Sequence, residues 1–221
     1  RAAAEGLLAL PNSIFLVYKN VEYCLKDIWI ANGRKFSMQN TVQIGVQLIE
    51  SVQNLHSIDY MHLDIKLDNV LISRENEVVL IDFGQARKYL LPNGSHCPNT
   101  DKVEWGNIHF ASLNAFKKQT LSRRDDMIQV IYGLMCLYNE FLPLREYLGR
   151  DTEDFDLFRE FKTQETAKKF CEINDCEFLT TALEECYTIE YDKTPDYAKI
   201  KFLLQKALLE EEIVPGGRYY Q

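Results

Sequence analysis

Three oxygen-bearing side chains and one amine recur at close spacing in the run His62-Leu63-Asp64-Ile65-Lys66-Leu67-Asp68-Asn69 and, farther on, Asp82-Phe83-Gly84. Asp64, Asn69 and Asp82 offer hard oxygen ligands for a magnesium ion or an acceptor for a proton, and Lys66 offers a cation for phosphate oxygens. Such a set suits chemistry at a phosphoryl group. The plainer alternative makes Asp64 and Asn69 turn residues and Asp82-Phe83-Gly84 a strand end. That alternative gives no reason for the lysine or for the apolar runs on either side.

Those side chains need elements to hold them. Val70-Leu71-Ile72 and Val78-Val79-Leu80-Ile81 read as two short buried strands joined by a turn at Glu75-Asn76. Upstream, Val42, Val46, Ile49, Val52 and Leu55 repeat at helical spacing between Gln39 and Ser57, an amphipathic helix that delivers the chain to His62. Ile14–Tyr18 is expected as a strand and Glu22–Ala31 as a short helix stopped near Asn32-Gly33. A loop rich in Pro, Asn, Gly and Ser runs from Leu91 to Asn107, exposed by composition, with a glycine turn at Asn93-Gly94-Ser95. Helices are expected over Asp125–Asn139, Asp154–Lys162, Ala167–Cys171, Glu177–Thr188 and Pro195–Glu212, the last with its proline in the first turn. The expected class is α+β, mainly α.

Composition narrows the field. The 221 residues are 46% hydrophobic, enough for one sizeable core. A formal charge of -8 argues against a nucleic-acid binder, and no apolar run approaches the roughly 20 residues that span a bilayer. The start, Arg1 to Leu8, lacks the apolar core of a secretory signal. Cys24, Cys97, Cys136, Cys171, Cys176 and Cys186 follow neither a disulfide-module nor a zinc-finger spacing, so reduced thiols and an intracellular protein, in cytoplasm or nucleus, are expected. Nothing here bears on oligomeric state.

With these residues in place, the chain resembles the eukaryotic protein kinases, whose catalytic loop is H-R-D-x-x-x-x-N and whose metal-binding triplet is D-F-G. The resemblance narrows to the casein kinase 1 family through Asp82-Phe83-Gly84-Gln85-Ala86-Arg87-Lys88-Tyr89, Ala111-Ser112-Leu113-Asn114, Leu121-Ser122-Arg123-Arg124-Asp125-Asp126 and Tyr191-Asp192-Lys193-Thr194-Pro195-Asp196-Tyr197. It covers roughly residues 14–209; the related vaccinia-related kinases share parts of it. It implies a kinase-like fold represented by its helical C-terminal lobe, over 22–212, with residues 1–21 a remnant of the N-terminal lobe and hinge and 213–221 a tail.

The resemblance also implies roles, with ATP and magnesium as cofactors. Asp64 would accept the proton of a Ser or Thr hydroxyl, Lys66 would steady the transferred phosphoryl group, and Asn69 and Asp82 would hold the magnesium ions. His62, Phe83 and Gly84 would support that constellation. Asp126 would brace the catalytic loop from a buried helix, against the alternative of an exposed carboxylate at a helix start. Arg87, Lys88, Arg123 and Arg124 would form an anion site for acidic or already phosphorylated protein substrates, or else be solvated charge.

Three departures qualify it. The residues before His62 contain no G-x-G-x-x-G loop, no Ala-x-Lys strand and no helix with a partner glutamate, so the chain is expected to be a fragment of a longer kinase. Leu63 stands where kinases carry arginine, which removes a partner for an activation-loop phosphate. Asn107-Ile108-His109 replaces the G-T-A-R segment of the family. These features keep a pseudokinase or scaffold open as an alternative. A small-molecule phosphotransferase is the other, although it would not be expected to carry the Ser122–Asp126 segment.

Overall fold

The computed structural model describes residues 21–99, 110–139 and 163–213. Its architecture is α+β and mainly α: a small antiparallel sheet stands at one side of a helical body. The expected strand at 14–18, the expected helix at 154–162 and Asn107 lie outside the described residues.

The first described element departs from expectation. Val21–Cys24 forms a strand, β1, and only Leu25–Ala31 is helical, as α1. Residues 22–24 have a helix-compatible pattern, but the edge of β3 (Val70–Ser73) takes them as a partner, with Tyr23 opposite Ile72 and Cys24 opposite Leu71. Pairing with a sheet edge overrides local propensity. β3 continues into β4 (Val78–Leu80), giving the order β1-β3-β4. Ser73 organises the intervening turn: its hydroxyl accepts from the Glu75 and Glu77 amides at 3.1 Å, while Asn76 takes a positive φ of 61°. A second, two-residue ladder joins β2 (Tyr60–Met61) to β5 (Arg87–Lys88).

Helix α2 (Met38–His56) starts one residue before and ends one before the span its periodicity suggests, and Ser37 caps it by accepting from the Asn40 amide. Its buried face, with Val42, Gly45, Leu48, Ile49 and Val52, packs on α4 (Arg123–Tyr138). A Cβ on Gly45 would stand 2.6 Å from Leu134 Cδ1 and 3.2 Å from Leu204 Cδ1, so the absence of a side chain sets the approach of these helices. Every residue of α4 from Asp125 to Met135 is buried, as expected of a helix enclosed on all sides. After a short α3 (Leu113–Phe116), α4 packs against α2 and, farther along the chain, against the helix at Thr180–Thr188.

The C-terminal helices are α5 (Ala167–Ile173), α6 (Thr180–Thr188) and α7 (Tyr197–Ile213). Residues 177–179 form a tighter 3₁₀ turn ahead of α6. α7 begins two residues later than Pro195 suggests, because Asp196 acts as its cap: Oδ1 accepts from the Lys199 amide at 2.9 Å. Ile200 and Leu204 then bury one face of α7 in the packing with α2. All six cysteines are free thiols. Among the described residues no helix is long and apolar enough to cross a membrane.

Candidate active site

The loop between β2 and β3 carries three buried polar side chains. Asp64 is 8% exposed, Asn69 5% and His62 fully buried. Lys66 Nζ lies 2.6 Å from Asp64 Oδ2, and Asn69 Nδ2 donates to the same oxygen at 3.0 Å and to the Asp64 carbonyl at 2.8 Å. Asp64, Lys66 and Asn69 therefore meet at one point. Because Asn69 donates from Nδ2, the other end of its amide, Oδ1, is turned away from Asp64 and is a hard oxygen available to a cation.

The hairpin brings Asp82 to the same end. Val70 pairs with Leu80, and one step beyond the ladder the Ile81 amide donates to the Asn69 carbonyl at 2.9 Å. Asp82 follows directly, with φ 61° and ψ 74°, a left-handed conformation uncommon outside glycine and asparagine. Its Oδ1 accepts from the Gly84 amide at 3.2 Å and so caps the tight turn at 83–85, leaving Oδ2 to exposed space. His62 ties the two segments together. Its Nε2 donates to the Ile81 carbonyl at 2.9 Å, its Nδ1 accepts from the Asp64 amide at 3.3 Å, and its ring lies against Phe83 with centroids 5.2 Å apart.

Leu63 has φ 65°, a strained value for a side chain of its size. Two side chains from α4 hold it there. Asp126, fully buried, accepts from the His62 amide at 2.8 Å and the Leu63 amide at 2.7 Å. Gln129, one turn on, donates to the Leu63 carbonyl at 3.2 Å and accepts from the Ile65 amide at 2.9 Å. Asp126 is thus buried rather than exposed at its helix start. Neighbouring Asp125 is also buried: burial raises its carboxyl above the usual range, opposed by hydrogen bonds from Ser112 and Asn114 and from the Ser122 amide.

Three participants escaped the sequence reading: Gln129, His56 and Tyr197. Gln129 had a signal, since it interrupts the apolar run that follows the charged start Arg123–Asp126 and stands at i+3 from Asp126. His56 looked like the end of an amphipathic helix, yet its Nε2 lies 2.8 Å from Asp126 Oδ2. Tyr197 stands in the family segment Tyr191–Tyr197, but it is 141 residues away in the chain from the histidine that it meets, so the segment gives no sign of that contact.

The four basic residues expected to form one anion site do not come together. Arg123 is 8% exposed, donates to Thr194 Oγ1 at 3.0 Å and to the Asp192 carbonyl at 2.8 Å, and stacks over Tyr89 at 4.3 Å. It is a structural cross-link. Arg124 donates to the Ile189 carbonyl and lines a groove with Asn114, Lys117 and Tyr187. Arg87 and Lys88 are exposed on β5 and line a separate groove of 290 Å³, floored by Leu63, Leu121 and Tyr191. Arg87 and Lys88 are the pair that shares a groove with Leu63 of the Asp64 loop. The physical reason is that consecutive helical residues point about 100° apart, so Arg123 turns inward to Tyr89 while Arg124 faces another groove.

A family model for the protein kinase domain matches residues 6–188. The chain belongs to the protein kinase family. The chain is 29% identical over 205 residues to a "probable casein kinase I homolog" of Encephalitozoon cuniculi, covering 91% of the chain and 64% of that relative. It is 33% identical over 174 residues to a "probable serine/threonine-protein kinase" of Dictyostelium discoideum, covering 70% of the chain and 35% of that protein. The chain therefore spans less than two thirds of the length of either relative. Its likeness is to casein kinase 1, and its described part is a mainly helical kinase-like body with a small sheet.

Proposed function

We propose that this chain carries the phosphoryl-transfer machinery of a casein kinase 1-like protein kinase acting on Ser or Thr hydroxyls of protein substrates. The observation that carries the reading is the convergence of Lys66 and Asn69 on Asp64 Oδ2, with Asp82 presented at the same end of the β3–β4 hairpin. The donor set fits magnesium and ATP, for an amide oxygen and an exposed carboxylate are hard ligands of the kind that cation takes. Magnesium when bound supplies charge neutralisation at the phosphate oxygens.

The remaining steps belong to the protein. Asp64 accepts the proton of the attacking hydroxyl at Oδ2, and its orientation is fixed in advance by Asn69 and Lys66. Lys66 then has a second task, moving its ammonium from the Asp64 carboxylate toward the transferred phosphoryl oxygens, where negative charge develops. Asn69 and Asp82 would hold the cation, and His62 keeps their two segments in register. Arg87 and Lys88 flank the groove next to Leu63 and favour acidic or phosphorylated sequences at the substrate's edge.

The test is phosphate transfer from labelled ATP to an acidic Ser-containing protein, run with this chain, with a longer version of it and with Asp64→Asn in each. Transfer that requires Asp64 supports the reading. Tight binding to that protein with no transfer in any version would leave a scaffold instead.

A further inference from the structure

His56 ends α2 at 2% exposure, and phosphoryl transfer makes no use of it directly. Its ring bridges two helices. Nε2 lies 2.8 Å from Asp126 Oδ2, and Nδ1 lies 2.7 Å from the Tyr197 hydroxyl at the start of α7. Asp126 Oδ2 also receives the His62 amide, so this carboxylate works as an acceptor and Nε2 must be the donor. Nδ1 then needs a donor of its own. Burial pushes the Tyr197 phenol up, with nearby Arg123 pulling the other way, so the hydroxyl retains its proton and has one to give.

The alternative tautomer would be costly. With the proton on Nδ1, the Nε2 lone pair would face the Asp126 carboxylate, and Oδ2 would lose one of the bonds that fix its rotamer. That rotamer matters because Asp126 bonds the two consecutive amides, of His62 and Leu63, that lead into the Leu63 strain point. Tyr89 bounds the same pocket and donates from its hydroxyl to the His56 carbonyl at 2.7 Å, which fixes the backbone but leaves the ring nitrogens to Asp126 and Tyr197.

We propose that Tyr197 is a positioning residue for the Asp64 loop: its hydroxyl locks His56 in the Nε2–H tautomer, and His56 in turn locks Asp126 on His62 and Leu63. The docking of α7 is thereby registered at the loop. Only the kinetic consequence rests on the kinase reading; the tautomer and the loop restraint stand without it.

The test is nitrogen–proton correlation spectroscopy of the histidine rings in the full chain, with amide exchange measured at His62, Leu63 and Ile65. Wild-type His56 is expected to show a protonated Nε2 and a bare Nδ1. Tyr197→Phe is expected to mix the tautomers and to speed exchange at His62 and Leu63 roughly tenfold. Exchange at Ile65, which is bonded to Gln129 instead, is expected to change much less. In a His56→Gln background, where an amide donor needs no tautomer, Tyr197→Phe is expected to add nothing at His62 and Leu63. In a chain that transfers phosphate, kcat is expected to fall severalfold in Tyr197→Phe with KM for ATP unchanged. A wild-type His56 that carries a proton on Nδ1, as the other tautomer or as the imidazolium, or exchange at all three amides rising together, overturns the proposal. An inactive wild-type chain would count against the kinase reading while the ring spectra still decide the tautomer.

Discussion

At the scale of single residues, the site is a case of strain held by buried hydrogen bonds. Leu63 at φ 65° costs on the order of 1 kcal/mol or more, and Asp126 and Gln129 hold the peptides on both sides of it. Asp126→Ala removes an acceptor from the His62 and Leu63 amides and from His56, and is expected to destabilise by about 3 kcal/mol or more. Urea unfolding measures this, and Asp126→Asn, which keeps one acceptor oxygen, should cost less. Asp64→Asn keeps the shape but not the acceptor for a hydroxyl proton. It is expected to lower the transfer rate about 100-fold or more, read as labelled phosphate per minute. Transfer at the wild-type rate would remove Asp64 from the chemistry.

At the scale of elements, two contacts set the site. The α2–α4 crossing at Gly45 places His56 and Asp126 on facing surfaces, and the β3–β4 register places Asn69 beside Ile81. Gly45→Leu must push Leu134 and Leu204 aside, both fully buried, and is expected to cost about 2–3 kcal/mol of stability. A thermal melt reads it as a fall of several degrees, and an unchanged melt would mean that the crossing has slack. Helix and strand patterns were legible where burial follows a period, as in α2 and in Val78–Leu80. They misled at Glu22–Cys24, where a free strand edge captured residues that local propensity assigned to a helix.

At the scale of the whole molecule, the core encloses several acids that ionise only when alkaline. Burial raises the Cys186 thiol above its ordinary 9.0 and the Tyr132, Tyr187 and Tyr197 phenols above their ordinary 10.0. Each group is held protonated in the folded state while the unfolded chain releases its proton, so the unfolded state binds fewer protons above pH 9. Stability is therefore full below that pH and falls as pH rises, by about 1.4 kcal/mol per pH unit for each group in its window. Melting temperature measured from pH 8 to 11 is expected to decline steadily beyond 9, with phenolate absorbance rising together with unfolding. Ionisation of Tyr132, Tyr187 or Tyr197 at pH 10 in a fully folded chain, followed ring by ring by carbon NMR, would contradict the burial of these rings.

The order and spacing of Asp64, Lys66, Asn69 and Asp82 were fixed by the chain itself, because a loop of six residues and a two-strand hairpin are local and their chemistry is carried by residue type. The helical class followed equally from apolar periodicity. Only the tertiary structure decided which polar residues hold that loop, since His56, Gln129 and Tyr197 act across separations of 66 residues or more in their bonds to Leu63, Asp126 and one another. It also buried Arg123 against Tyr89 while leaving Arg87 and Lys88 exposed. Long-range burial chooses among side chains that look alike in sequence, because a buried donor or acceptor must find its partner wherever the fold has put one.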